Sequence, residues 1–144
     1  MAETTDIKKK ESLIYGKEAR HVANIERQLP ASFADTLIFH MKRCKHTAES
    51  LAENSLVATK TIHRMRKELG YRAKFETIIA VCVGLDLHPV LSMDLIKKSG
   101  YTFQSCNQEH IIYQMLLYSK YKSTIHQWNK ILNENGFKSL TREE

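Results

Sequence analysis

Two short stretches on either side of a tight polar turn, residues 47–53 and 59–70, constrain this chain more than any other part of it. Thr47 is a good N-cap, because its side-chain oxygen can accept a bond from a free amide of the first helical turn, and a short helix is expected through Leu51, Ala52 and Glu53. Asn54 and Ser55 supply turn chemistry, and Leu56 and Val57 follow as apolar residues of the turn. A second short helix is expected to begin near Ala58 or Thr59 and to carry Ile62, Met65 and Leu69 inward. That leaves Thr59, Lys60, His63, Arg64 and Lys67 largely outward, and Gly70 is expected to end the helix.

Charge is concentrated on the same stretch. From Lys42 to Lys74 there are nine basic residues against three acidic ones, which accounts for the whole formal charge of +6; the rest of the 144 residues is neutral. A positive field confined to one quarter of a chain suits a polyanionic partner, although a solvated lysine-rich face has the same composition. Two short helices, a tight turn with an apolar residue just after it, and a basic outer face on the second helix form a helix-turn-helix pattern.

The remainder reads as helix and connection. With 42% apolar residues the chain can bury one compact core and is short for two ordinary domains. Residues 1–16 are polar around Lys8-Lys9-Lys10 and read as a mobile basic arm. A short helix is expected from Lys17 to Leu29, ended by Pro30. Ser32 can cap the next helix, whose apolar stripe is Phe33, Leu37, Ile38, Met41 and Cys44. The β-branched run from Thr77 to Val83 admits a strand, whereas the spacing of Phe75, Ile78, Ile79, Cys82 and Leu85 fits a helix. His88-Pro89 opens a further helix with Leu91 and Leu95 inward, ended by Lys97-Lys98-Ser99-Gly100.

The order of elements from Phe33 to Gly100 resembles the Cro/C1-type, or XRE-family, helix-turn-helix domain of bacterial and phage regulators. The likeness is carried by Thr47-Ala48-Glu49-Ser50-Leu51-Ala52-Glu53, by Val57-Ala58-Thr59-Lys60-Thr61-Ile62-His63-Arg64-Met65, and by Thr77 through Leu87. It implies an all-α protein in which the first two segments are positioning and recognition helices and the third is a helix rather than a strand. The frame from Phe33 to Leu140 is similar, more loosely, to small regulator-like proteins of Gram-positive bacteria with a helical C-terminal extension. Three segments follow: an arm and short helix over 1–31, a five-helix helix-turn-helix domain over 32–100, and a helical extension over 101–144. The resemblance implies double-stranded DNA as partner, with Thr59, Lys60, His63 and Arg64 approaching base edges and Lys42, Arg43, Lys45, Thr47, Lys67 and Arg72 touching phosphates.

The extension contains two helical patterns. In the first, Ile111, Ile112, Met115, Leu116 and Tyr118 form one broad face and Tyr113 and Leu117 another. In the second, Ser123 can cap a helix holding Ile125, Trp128, Ile131 and Leu132, with Asn135-Gly136 ending it and Phe137 and Leu140 returning to pack. This apolar surplus reads either as extra core or as the interface of a homodimer. Docking to another protein, as adaptor or inhibitor, is the alternative use of the same fold. His40, Cys44 and His46 stand close enough to suggest a metal, but packing and surface roles suit them better, and neither metal nor cofactor is expected. No HExxH, Walker loop, GxGxxG or GxSxG occurs, so no enzyme is expected. Three odd, widely spaced cysteines, no long apolar run and no secretion-signal order at the start point to the cytoplasm and to no membrane span.

Overall fold

A computed structural model describes residues 2–68 and 70–142, with side chains from residue 8 onward except 11 and 12. Among the described residues there are eight helices and no strand: α1 (Ala2–Arg27), α2 (Phe33–Arg43), α3 (Ala48–Ser55), α4 (Thr59–Lys67), α5 (Phe75–Gly84), α6 (Pro89–Lys98), α7 (Gln108–Ser119) and α8 (Ile125–Glu134). The β-branched run of α5 is therefore helical. Ile78 to Val83 is buried on every side, so burial rather than propensity decides its conformation. Among the described residues no helix is long and apolar enough to cross a membrane.

The expected arm is instead the first half of one continuous helix. Residues 2–15 hold neither proline nor glycine and are rich in good helix formers, so helix propagates outward from the anchored end, where Val22 and Ile25 are buried. Pro30 ends this region as expected, and its carbonyl accepts from Lys98 Nζ at 2.7 Å. The same ammonium reaches Thr36 Oγ1 at 3.3 Å and pairs with Asp94 at 2.9 Å, fastening the α1–α2 junction to α6. From the sequence alone, Lys98 reads only as part of the helix-ending Lys97-Lys98-Ser99-Gly100.

Ser32 accepts from the Asp35 amide at 3.1 Å, and Thr47 caps α3 by a reciprocal box with Ser50. The turn lies one residue later than expected. Asn54 and Ser55 are still helical, and Leu56 takes the left-handed conformation at φ 59°. Ser55 explains the shift: it is buried, donates to the Leu51 carbonyl at 2.6 Å and accepts from the Val57 amide at 3.2 Å. Its side chain thus stitches the last turn of α3 to the residue that follows the bend. α5 crosses this point closely enough that a Cβ on Gly84 would fall 2.8 Å from Ser55 Cβ, so glycine is required there. α4 stops at Lys67, three residues before Gly70, because Glu68 is already extended. Ile62 and Met65 face inward as expected, and Leu69 lies outside the described residues.

One apolar core runs through all three expected segments. It joins Val22 and Ile25 of α1 to Leu37, Leu51, Ile62, Ile79 and Leu95, and continues into Tyr113, Leu117, Trp128 and Leu132 of the extension. In α7 the inward face is Tyr113, Leu116 and Leu117, so Leu116 belongs with the residues expected opposite it. The outward stripe is Ile111, Met115 and Tyr118, at 45%, 63% and 58% exposure. The cap of α8 is Thr124, one residue after Ser123, because Gln127 completes its capping box.

Candidate nucleic-acid interface

α4 is nine residues long and is held on α2 and α3 by Ile62 and Met65, both fully or almost fully buried. Its opposite side therefore carries Lys60, His63, Arg64 and Lys67, which line one shallow groove together with Glu68. Lys60, Arg64 and Lys67 are exposed, while Thr59 and His63 are half-buried. Arg64 is not idle: its Nε meets Glu68 at 3.0 Å and its guanidinium lies 4.1 Å above the Tyr71 ring. Both partners of that ion pair are about half exposed, at 46% and 52%. An exposed pair of this spacing contributes about 0.3–0.5 kcal/mol, and an exposed cation–π contact about 0.5–1 kcal/mol.

The last turn of α2 contributes Lys42, and the turn before α3 contributes Lys45 and Thr47; both lysines are exposed. Lys45 adopts φ 59°, and the Thr47 hydroxyl is occupied by the Ser50 amide at 3.1 Å. His46 Nδ1 stands 2.9 Å from Ser50 Oγ, which ties the turn to the same cap. Two of the residues expected at phosphates have partners within the chain: Arg43 is half-buried and Arg72 is exposed. Arg43 Nη2 approaches His40 Nδ1 at 3.1 Å, and Arg72 donates to the Gly100 carbonyl at 2.9 Å while lying 4.0 Å over the Tyr101 ring. Neither joins the groove of α4.

A second basic feature was not visible in the sequence. Beside the first turn of α4 opens a cleft of about 960 Å³ whose rim carries Lys74, Lys138 and Arg142, all exposed. The last two come from the chain beyond α8, about eighty residues from α4 in sequence, so no local pattern could have linked them to it. The residues weighed as metal ligands do not form such a site. His40 is buried, and Cys44 points its thiol at the Leu85 carbonyl 3.8 Å away, where burial raises its pKa. Among the described residues no group of three potential ligands is close enough to hold a metal ion. Comparison with known proteins finds no matching family model, no matching curated protein and no matching solved structure.

Proposed function

We propose that this chain is a sequence-specific DNA-binding transcriptional regulator of Cro/C1 type, acting without catalysis or cofactor in the cytoplasm. In this reading α2 to α6 are the five helices of the helix-turn-helix domain, α3 positions the protein on the duplex and α4 enters the major groove. Thr59, Lys60 and Arg64 meet base edges with His63 at the margin, and Lys42, Lys45, Thr47 and Lys67 meet phosphates. The observation that carries it is the row of Lys60, His63, Arg64 and Lys67 on the free side of a short helix lodged on α2 and α3.

Selection of bound duplexes from a random pool tests the reading, because it reports both whether sequence is read and how half-sites are spaced. Lys45→Gln is expected to weaken all duplexes alike, as removal of a phosphate contact does. Arg64→Ala is expected to cost about 1–3 kcal/mol on the selected site and to relax base choice at one position in each half-site. Unchanged affinity and preference in Arg64→Ala would remove α4 as the reading element.

The same proposal includes a homodimer, since two half-sites are needed for adequate affinity. It is supported by the stripe of Ile111, Met115 and Tyr118, an apolar face on a helix whose other side is already in the core. Met115→Glu should convert a sedimenting dimer to a monomer without lowering helicity; a dimer that survives this change has its interface elsewhere. Leu13, Ile14 and Tyr15 of α1 are also exposed. They favour the second reading, in which the chain docks on another protein, and co-purification with a partner in the absence of duplex binding would support it.

A further inference from the structure

We infer that the C-terminal tail is a phosphate-contacting element of the DNA surface, with Lys138 and Arg142 gripping the backbone beside the N-terminus of α4. This rests on the DNA-binding reading above and extends it to residues remote from α4 in sequence. The cleft of about 960 Å³ runs from Ala58 and Thr61, at the start of α4, to the tail residues Lys138 and Arg142, with Lys74 between. Lys74, Lys138 and Arg142 come from two separate parts of the chain, are all exposed, and form no ion pair among the described residues.

Two acids, Glu76 and Glu109, line the cleft as well. Both act on the buried Tyr113 hydroxyl, whose pKa is pushed up to about 12 by burial first and then by these two carboxylates. They are thus gathered at the α5–α7 wall around Tyr113. The helices that open onto the cleft reinforce the cations. Among the described residues no side chain caps α4 at Ala58 or α5 at Lys74, so the positive ends of both helix dipoles add potential at this rim.

The tail is fastened to α8 at Ser139 and Leu140. Leu140 is buried, its amide donates to the Asn129 side chain at 2.9 Å, and Ser139 Oγ donates to the Asn133 side chain at 3.3 Å. The cations on either side of Leu140 are therefore held near the cleft before any partner arrives, which lowers the ordering cost of a contact. A helix that enters the major groove has backbone phosphates along both edges of that groove, about 12 Å apart. Cations stationed beside its first turn meet one such edge while Lys42 and Lys45 serve the positioning helix. Because they touch only phosphates, they add affinity without base preference.

The experiment measures duplex binding against salt for the full chain, for Lys138→Gln/Arg142→Gln, and for Lys122→Gln/Lys130→Gln, which removes the same charge from exposed positions that do not line the cleft. The tail variant is expected to flatten the plot of log affinity against log salt by about 2, close to 0.9 for each phosphate no longer neutralised, and to keep the selected sequence preference. The control variant is expected to leave the slope unchanged. If the wild type binds duplex with a steep slope and the tail variant matches it, or if the control flattens the slope as much, the tail assignment is overturned and the DNA reading stands. If the wild type binds no duplex, the DNA reading fails and the tail assignment fails with it.

Discussion

Trp128→Ala should lower the stability of the whole chain by about 3–5 kcal/mol, measured by denaturant titration. The indole is fully buried, and its Nε1 donates to the Lys120 carbonyl at 3.0 Å across the α7–α8 connection. Truncation opens a cavity in the shared core and removes one of the two bonds to that carbonyl, which keeps the Ser123 amide at 3.0 Å. Trp128→Phe should lose less, because most of the packed volume remains. Trp128 is also the only tryptophan, and it lies outside residues 32–100. Its fluorescence reports the extension while far-UV circular dichroism reports all the helices, so the two should change together if the chain unfolds as one unit. A fluorescence transition at lower denaturant than the helical one would show that the extension is a separate unit.

That single core also bears on how self-association is tested. Removing everything after Gly100 would strip Tyr113, Leu117, Trp128 and Leu132 from the core shared with α5 and α6. A truncated chain that no longer dimerised would then be destabilised as well, and the two effects could not be told apart. Met115→Glu avoids this, because its side chain is outside the core.

Local signals were legible where they are local in physics. Ser32, Thr47 and Pro89 announce helix starts because capping and the fixed φ of proline act within one turn. Ile62, Met65, Leu91 and Leu95 are inward because their spacing allows one face only. The features that were not legible depend on distant partners. The bend at Leu56 follows from Ser55 being buried under Gly84, and the roles of Arg43 and Arg72 follow from His40 and from Tyr101 and Gly100. In α7 seven apolar positions span most of the circumference, so periodicity alone could not say that Leu116 turns inward and Met115 outward. The outward row of α4 was legible because Ile62 and Met65 fix its other side, whereas the tail cations share no segment with it.

The second large effect concerns acid. His40 lies in α2 with no exposed surface, and its Nδ1 accepts from Arg43, which fixes the neutral ring with its proton on Nε2. Among the described residues that Nε2 has no hydrogen-bond partner. Burial first, then the positive charge of Arg43 and, more weakly, of Lys98 on α6, lower its pKa to about 4 from 6.5, with Asp94 opposing. In the unfolded chain the imidazole takes up a proton near pH 6.5, while in the folded chain it resists until about pH 4. Between those values the unfolded state binds more protons, so stability must fall as pH falls; above this window both states are neutral, and below it both are charged. The loss across the window is roughly 3 kcal/mol, since each tenfold change in proton affinity corresponds to about 1.4 kcal/mol. Carboxylates titrate in its lower part, so the informative quantity is the difference between wild type and His40→Leu. That variant replaces the ring with an apolar side chain and removes the unsatisfied N–H, so at pH 7 it should be no less stable than a typical core substitution, within about 1.5 kcal/mol of wild type. On acidification from pH 6.5 to 4 the wild type should lose roughly 3 kcal/mol more than His40→Leu. Parallel curves would mean that the buried imidazole does not make the fold acid-sensitive. Because α2 also supports α4, duplex binding by the wild type should fail in the same pH window as the fold, and His40→Leu should carry both to lower pH together.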